Sequence, residues 1–70
     1  MPSKYPVLSS DEVVKRLERH GFSFASQKGS HRKYRCDNRV VIVPMHDEIA
    51  KGTLRSILIQ AGLSLEDFME

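Results

Sequence analysis

The sequence lacks the features that would cross-link a small protein or hold it in a membrane. Among its 70 residues there is one cysteine, Cys36, so no internal disulfide can form. A chain of this size without disulfides is typical of a reducing cytoplasm. No apolar run approaches the roughly 18 residues of a membrane-spanning helix, and residues 1–6 lack the apolar core of a signal peptide. We therefore expect a soluble cytoplasmic protein.

The short length limits the kind of site that the protein can build. Seventy residues suffice for one small domain, which we expect to span residues 1–70. A domain of this size buries only about 60% of the surface that its unfolded chain exposes. The core should be thin, and any active or binding site should be a surface patch or a shallow groove.

Two amphipathic helices are predicted at either end of the chain. Ser9 and Glu12 have the spacing of a capping box, which predicts a first helix over residues 10–20 with Gly21 as its stop. A second helix is predicted by apolar residues at i, i+3, i+4 and i+7, namely Leu54, Ile57, Leu58 and Ala61. We expect Thr53 or Gly52 as its N-cap and Gly62 as its stop, followed by a short helical turn over residues 65–68 that Ser64 caps.

Three strand-like runs lie between the helices. They cover residues 22–28, 31–36 and 39–43, with turn signals at Gly29-Ser30 and Asp37-Asn38 and with Pro44 as the end of the third run. Such short connections favour an antiparallel meander. Because each helix has one apolar stripe, both helices should cover the same face of the sheet. The predicted fold class is α+β in the order α-β-β-β-α, with the other face of the sheet open.

Positive charge is concentrated in residues 28–39. This block holds five basic side chains and one acidic one, although the whole chain carries only +2. Such a block favours a local site for an anion, of which phosphate is the obvious one. The alternative is a solvated strand edge that its cations protect from pairing.

Side-chain alternation in the second strand separates two sets of residues. Tyr34 and Cys36 are the more apolar set and should face the helices, which places His31, Lys33 and Arg35 together on the open face. Histidine can exchange a proton near neutral pH, as phosphodiester cleavage of RNA requires. Neighbouring cations and amides can stabilise the charge of the transition state. The residues themselves leave a second interpretation open, since a lone histidine beside cations is often an ordinary surface residue.

The sequence predicts no metal site at its three histidines. They lie far apart in the sequence and have no cysteine at a ligand spacing. His20 falls at the end of the first helix, where a partly cationic ring is favourable. His46 is a candidate for a contribution to the cap of the second helix.

At Gly29-Ser30-His31-Arg32-Lys33-Tyr34 the chain resembles the HicA family of toxin mRNA interferases. Further matches follow in order at Val43-Pro44-Met45-His46, at residues 51–58, at residues 60–64 and at Phe68. The resemblance covers nearly the whole chain. One departure is Ile59, which stands where a lysine or arginine is common in the family.

This resemblance implies a fold like that of double-stranded-RNA-binding domains and a catalytic histidine at His31. It implies cleavage of messenger RNA without a metal or other cofactor, and a cognate HicB antitoxin that covers the site. The candidate RNA-binding residues are those around His31, namely Lys28, Gly29, Ser30, Arg32, Lys33 and Arg35. A non-catalytic RNA-binding module of the same fold is the alternative function.

Overall fold

A computed structural model describes residues 5–70. The first four residues, on which part of the expectation about the N-terminus rests, lie outside this range. The elements are α1 (Ser10–Arg19), β1 (Ser23–Lys28), β2 (His31–Cys36), β3 (Arg39–Pro44), α2 (Lys51–Ala61) and α3 (Leu65–Met69). The strands form one antiparallel sheet in the order β1-β2-β3, which confirms the predicted α-β-β-β-α order. No helix within residues 5–70 has both the length and the apolarity to span a membrane.

Helix α1 begins at Ser10 as predicted and ends at Arg19, one residue before the predicted end. The Ser9 hydroxyl accepts a hydrogen bond of 3.2 Å from the backbone N–H of Glu12. The Glu12 carboxylate in turn accepts one of 3.1 Å from the backbone N–H of Ser9, which completes the capping box. At the other end Gly21 has a φ of 89°, and the N–H of Phe22 donates back to the carbonyl oxygen of Leu17 over 3.1 Å.

Helix α2 begins earlier than predicted. Its first residue is Lys51 and its N-cap is Ala50, which makes no side-chain capping bond, so the expectation that Thr53 or Gly52 caps the helix is wrong. The start is set by tertiary structure instead. The N–H of Ile49 donates to the carbonyl oxygen of Leu8 over 2.7 Å, and this bridge fixes the direction of the chain as it enters the helix.

The C-terminal end of α2 follows the prediction. Gly62 adopts a φ of 70° and stops the helix. The Arg39 guanidinium occupies the space that a Cβ on Gly62 would need, so a cation lies at the negative end of the helix dipole. The Ser64 hydroxyl accepts from the N–H of Asp67 over 3.1 Å and caps α3 as expected.

The core lies between the helices and one face of the sheet. Tyr34, at the middle of β2, is buried on this side, and Cys36 is half-buried there. The buried apolar side chains are Leu8, Val13, Leu17, Phe22, Tyr34, Val41, Val43, Ile49, Leu54, Ile57, Leu58, Ala61 and Phe68. Because the helices contribute to this one cluster, the opposite face of the sheet is left open, as the sequence predicts.

A bulge in β1 changes which side chains share a face. Phe24 pairs with Tyr34, whereas Ser26 pairs with Lys33, so Ala25 is an additional residue in the ladder. The Phe24 ring lies edge-on to the Tyr34 ring, with centroids 5.9 Å apart. Phe24 nevertheless stays 55% exposed. The reason is that α1 and α2 pack against β3, which is at the opposite edge of the sheet from β1.

Candidate active site

The open face of the sheet presents the basic side chains of β2. His31, Lys33 and Arg35 alternate with the buried Tyr34, and all three are exposed. Their partners on β3 are Pro44, Ile42 and Val40 respectively. This arrangement confirms the orientation that alternation predicts for the three residues.

A shallow concavity lies on this face where the β1–β2 hairpin turns. It is lined by Ser26, Lys28, Gly29, Ser30, His31, Lys33 and Ile42. Lys28 is the direct cross-strand partner of His31, and Lys33 lies two residues further along β2. Lys28, His31 and Lys33 therefore share one surface.

Gly29 makes the turn that brings Lys28 and His31 opposite each other. Its φ of 59° lies in the left-handed region, where a side chain would strain the backbone. A Cβ at Gly29 would meet no atom within 4 Å. The turn therefore needs glycine for its backbone conformation, and the space above the turn stays open to a ligand.

The segment after β3 holds this turn from the other side. The N–H of Met45 donates a hydrogen bond of 2.7 Å to the carbonyl oxygen of Ser30. Pro44, the preceding residue, is the cross-strand partner of His31. The backbone on both sides of the Ser30–His31 peptide is thus fixed by the chain that leaves the sheet.

Two predicted RNA-binding residues lie outside the concavity. Arg35 is on the open face but does not line the concavity. Arg32 alternates onto the same side as Tyr34, and its Nε donates to the Gln27 side chain over 3.2 Å. A contact between Arg32 and RNA bound over His31 would need the RNA to pass the edge of β1.

Residues 10–63 match a family model described as the HicA toxin of bacterial toxin–antitoxin systems. The chain belongs to the HicA toxin family. The matched range contains α1, the whole sheet and α2, and therefore every candidate site residue. A chain in a solved structure titled "Toxin-Antitoxin complex from Streptococcus pneumoniae" is also similar, with 36% identity and a TM-score of 0.71. That match covers 80% of the present chain and 98% of the other, while no curated protein matches.

Sequence reasoning missed two residues that line this concavity, Ser26 and Ile42. A signal for Ile42 was available, because it alternates with the apolar Val41 and Val43 and so must face away from the core. Ser26 alternates with Lys28 in the same way. Neither residue stands out by its chemistry, and only the folded sheet brings them beside His31.

The electrostatics of the concavity suit a polyanion. None of the described residues that line the concavity is a carboxylate, and two are lysines. Within residues 5–70 no three histidine, cysteine, aspartate or glutamate side chains are grouped as metal ligands would be. An entering phosphate would therefore meet cations, the His31 ring and the turn backbone.

The other two histidines lie away from the concavity. His20 is the C-cap of α1, as expected, and its Nε2 lies 3.0 Å from the carbonyl oxygen of Asp67. The expectation for His46 is wrong, since its backbone joins the N-terminus of α1 and not that of α2. Its carbonyl oxygen accepts a hydrogen bond of 3.0 Å from the N–H of Ser10.

Proposed function

We propose that this HicA-family protein is an endoribonuclease that cleaves messenger RNA in the cytoplasm, without a metal ion, and so inhibits translation and growth. The observation that carries the proposal is the position of His31. It lies exposed in a concavity of the open sheet face that Lys28 and Lys33 also line.

The chemistry uses a nucleophile that RNA itself contains. The 2′-oxygen attacks the adjacent phosphorus, the bond from phosphorus to the 5′-oxygen breaks, and a 2′,3′-cyclic phosphate is left. His31 either takes the proton of the 2′-hydroxyl or gives one to the leaving 5′-oxygen. The ammonium groups of Lys28 and Lys33, with the amides of Gly29 and Ser30, stabilise the negative charge that develops. One general acid or base contributes about 10²- to 10⁴-fold, so we expect a slow nuclease.

The test is cleavage of a messenger RNA by the purified protein and by a His31→Ala variant. We expect the variant to fold normally by circular dichroism, to bind RNA and to have lost cleavage. His20→Ala is the matched control, because His20 lies beside the β2–β3 turn, at the opposite end of β2. Full cleavage by folded His31→Ala protein would overturn the assignment. RNA binding without cleavage by the wild-type protein would favour the non-catalytic module.

We further propose that an antitoxin of the HicB type inhibits the protein by covering the open face. Membership in a toxin–antitoxin family supports a protein partner, as does the similar chain found in a toxin–antitoxin complex. A standard interface buries about 800 Å² per partner, a sizeable share of the 4735 Å² of this chain. Because burying Lys28, Lys33 and Arg35 without counter-charges would be costly, the antitoxin should present acidic groups to them.

A further inference from the structure

We propose that Ser10 is a positioning residue for His31, on which it acts through residues 44–46, the last residue of β3 and the two that follow it. This inference rests on the proposed nuclease function for its kinetic part only. Ser10 does not approach the concavity. Its effect passes through backbone hydrogen bonds that connect the first turn of α1 with the turn before β2.

The first link joins Ser10 to residues 44–46. Ser10 is 3% exposed and is the one buried polar residue within residues 5–70. Its hydroxyl has one proton, which it donates to the carbonyl oxygen of His46 at 2.6 Å or of Pro44 at 2.8 Å. The Ser10 Oγ also accepts a hydrogen bond from the N–H of His46. With the bond from the Ser10 N–H to His46, this one residue holds both ends of the segment.

The second link joins the segment to the site. Met45, between the two residues that Ser10 holds, donates its N–H to the carbonyl oxygen of Ser30. Pro44 lies directly across from His31 in the β2–β3 ladder. Ser30, the residue before His31, is therefore hydrogen-bonded to a segment that is itself hydrogen-bonded to Ser10.

Capping does not account for the Ser10 hydroxyl. The N-cap of α1 is Ser9, which forms a complete capping box with Glu12. Ser10 is the first helical residue, one position past the N-cap from which a serine side chain caps a helix. The role of the hydroxyl is therefore to form hydrogen bonds with residues 44–46. Loss of the hydroxyl removes its bonds to Pro44 and His46 and leaves the bond from the Ser10 backbone N–H as the hydrogen bond that still joins this residue to the segment.

Ser9 provides the matched control, because Ser9→Ala weakens the same helix and its hydroxyl bonds with Glu12 and not with residues 44–46. Ser10→Ala removes the side-chain part of the link, and Ser10→Thr restores a hydroxyl. Cleavage of a short fluorogenic RNA is measured at a temperature where all variants are folded. We expect kcat to fall about tenfold in Ser10→Ala with little change in KM, because small misplacements of catalytic groups are costly. Ser9→Ala should keep the wild-type kcat, and Ser10→Thr should recover most of it.

A second measurement does not depend on cleavage. Amide exchange and the imidazole signals of His31 are followed by NMR in the same variants. Ser10→Ala should speed exchange at Met45 and shift the His31 signals, whereas Ser9→Ala should do neither. If Ser10→Ala fails to fold, Ser10→Cys replaces it, since the thiol is close in size but hydrogen-bonds weakly.

The outcomes separate the two proposals. Unchanged Met45 exchange and unchanged His31 signals in Ser10→Ala would overturn the positioning role. So would equal losses of kcat in Ser9→Ala and Ser10→Ala, which would indicate a general loss of stability. If the wild-type protein does not cleave RNA, the nuclease function fails, and the NMR comparison still decides whether Ser10 positions His31.

Discussion

Gln60, on α2, accepts a hydrogen bond of 3.0 Å from the backbone N–H of Ile42, on β3. β3 is an outer strand of the sheet, and an outer strand can pair with another chain through its unused backbone groups. Pro44, two residues further on, has no N–H to offer. A side chain of the helix and a proline thus protect this edge.

We expect Gln60→Ala to lower the free energy of unfolding by about 1 kcal/mol, the usual net value of one hydrogen bond. For a domain of this size that corresponds to a melting temperature lower by about 4–8 °C. Exchange of the Ile42 amide should speed up, and self-association should rise at high protein concentration. Ser56→Ala is the control, since Ser56 only accepts a bond from the Gln60 amide nitrogen. Unchanged Ile42 exchange in Gln60→Ala would contradict the protective role.

The second prediction concerns metal ions. Cleavage of RNA should persist in excess chelator, because the residues around His31 offer cations and backbone groups where a divalent ion would need carboxylates. The products should carry a 2′,3′-cyclic phosphate or its opened form, which mass spectrometry distinguishes from other ends. A requirement for added magnesium, or products with 5′-phosphates, would rule this mechanism out.

The third prediction concerns salt. If Lys28, Lys33 and Arg35 contact phosphates, their combined replacement by alanine should reduce the slope of log affinity against log salt by roughly two units. Fluorescence anisotropy with a labelled RNA measures the slope. A triple variant of exposed cations elsewhere, at Lys15, Arg19 and Lys51, should keep the wild-type slope. The same slope in both triple variants would place the RNA on another surface.

The fourth prediction concerns the antitoxin. Its binding should protect the amides of residues 28–35 from hydrogen exchange and leave α1 unchanged. The complex should also melt at a higher temperature than the free protein, because a ligand that binds only the folded state stabilises it. Protection confined to the helices, with residues 28–35 unaffected, would exclude direct occlusion of His31.

The fifth prediction concerns acid. The hydrogen bond from the Ser9 backbone N–H holds the pKa of Glu12 below its ordinary value of 4.5, and the bond from the Ser9 hydroxyl is the next largest cause. The positive charges of Arg16 and Lys15 also lower this pKa. A lowered pKa in the folded state stabilises the fold above pH 4.5, and this contribution is lost as the pH falls through the lowered value. Urea titrations of the wild-type protein should therefore show a fall in the free energy of unfolding between pH 6 and pH 2, and Glu12→Gln should lose part of that fall. Glu18→Gln, which leaves the capping box intact, should retain it.

The sequence predicted those parts of the fold that local chemistry determines. The capping box at Ser9 and the stops at Gly21 and Gly62 each depend on contacts within a few residues. They could be located without any knowledge of the rest of the chain. The start of α2 could not, because the bridge between Ile49 and Leu8 joins residues 41 positions apart.

The candidate site divides in the same way. Alternation along β2 was enough to place His31 and Lys33 on the open face. Two sets of hydrogen bonds form only when α1 lies beside the end of β3. They are the bond from the Met45 N–H to the Ser30 carbonyl oxygen and the bonds between Ser10 and the residues on either side of Met45. No pattern in the sequence predicts such contacts, because the partners in them are backbone groups, which every residue carries.

The bulge at Ala25 has a consequence for how the length of β1 can vary. Phe24 and Lys28 are separated by an even number of positions, yet they face opposite sides of the sheet. If the strand alternated regularly, Phe24 would project from the face that carries His31. Deleting Ala25 would place Phe24 directly before Ser26, where regular alternation keeps it opposite Tyr34, whereas deleting two residues before Ser26 would turn the first half of the strand over. A single deletion at the bulge should therefore be tolerated, and a double deletion should not.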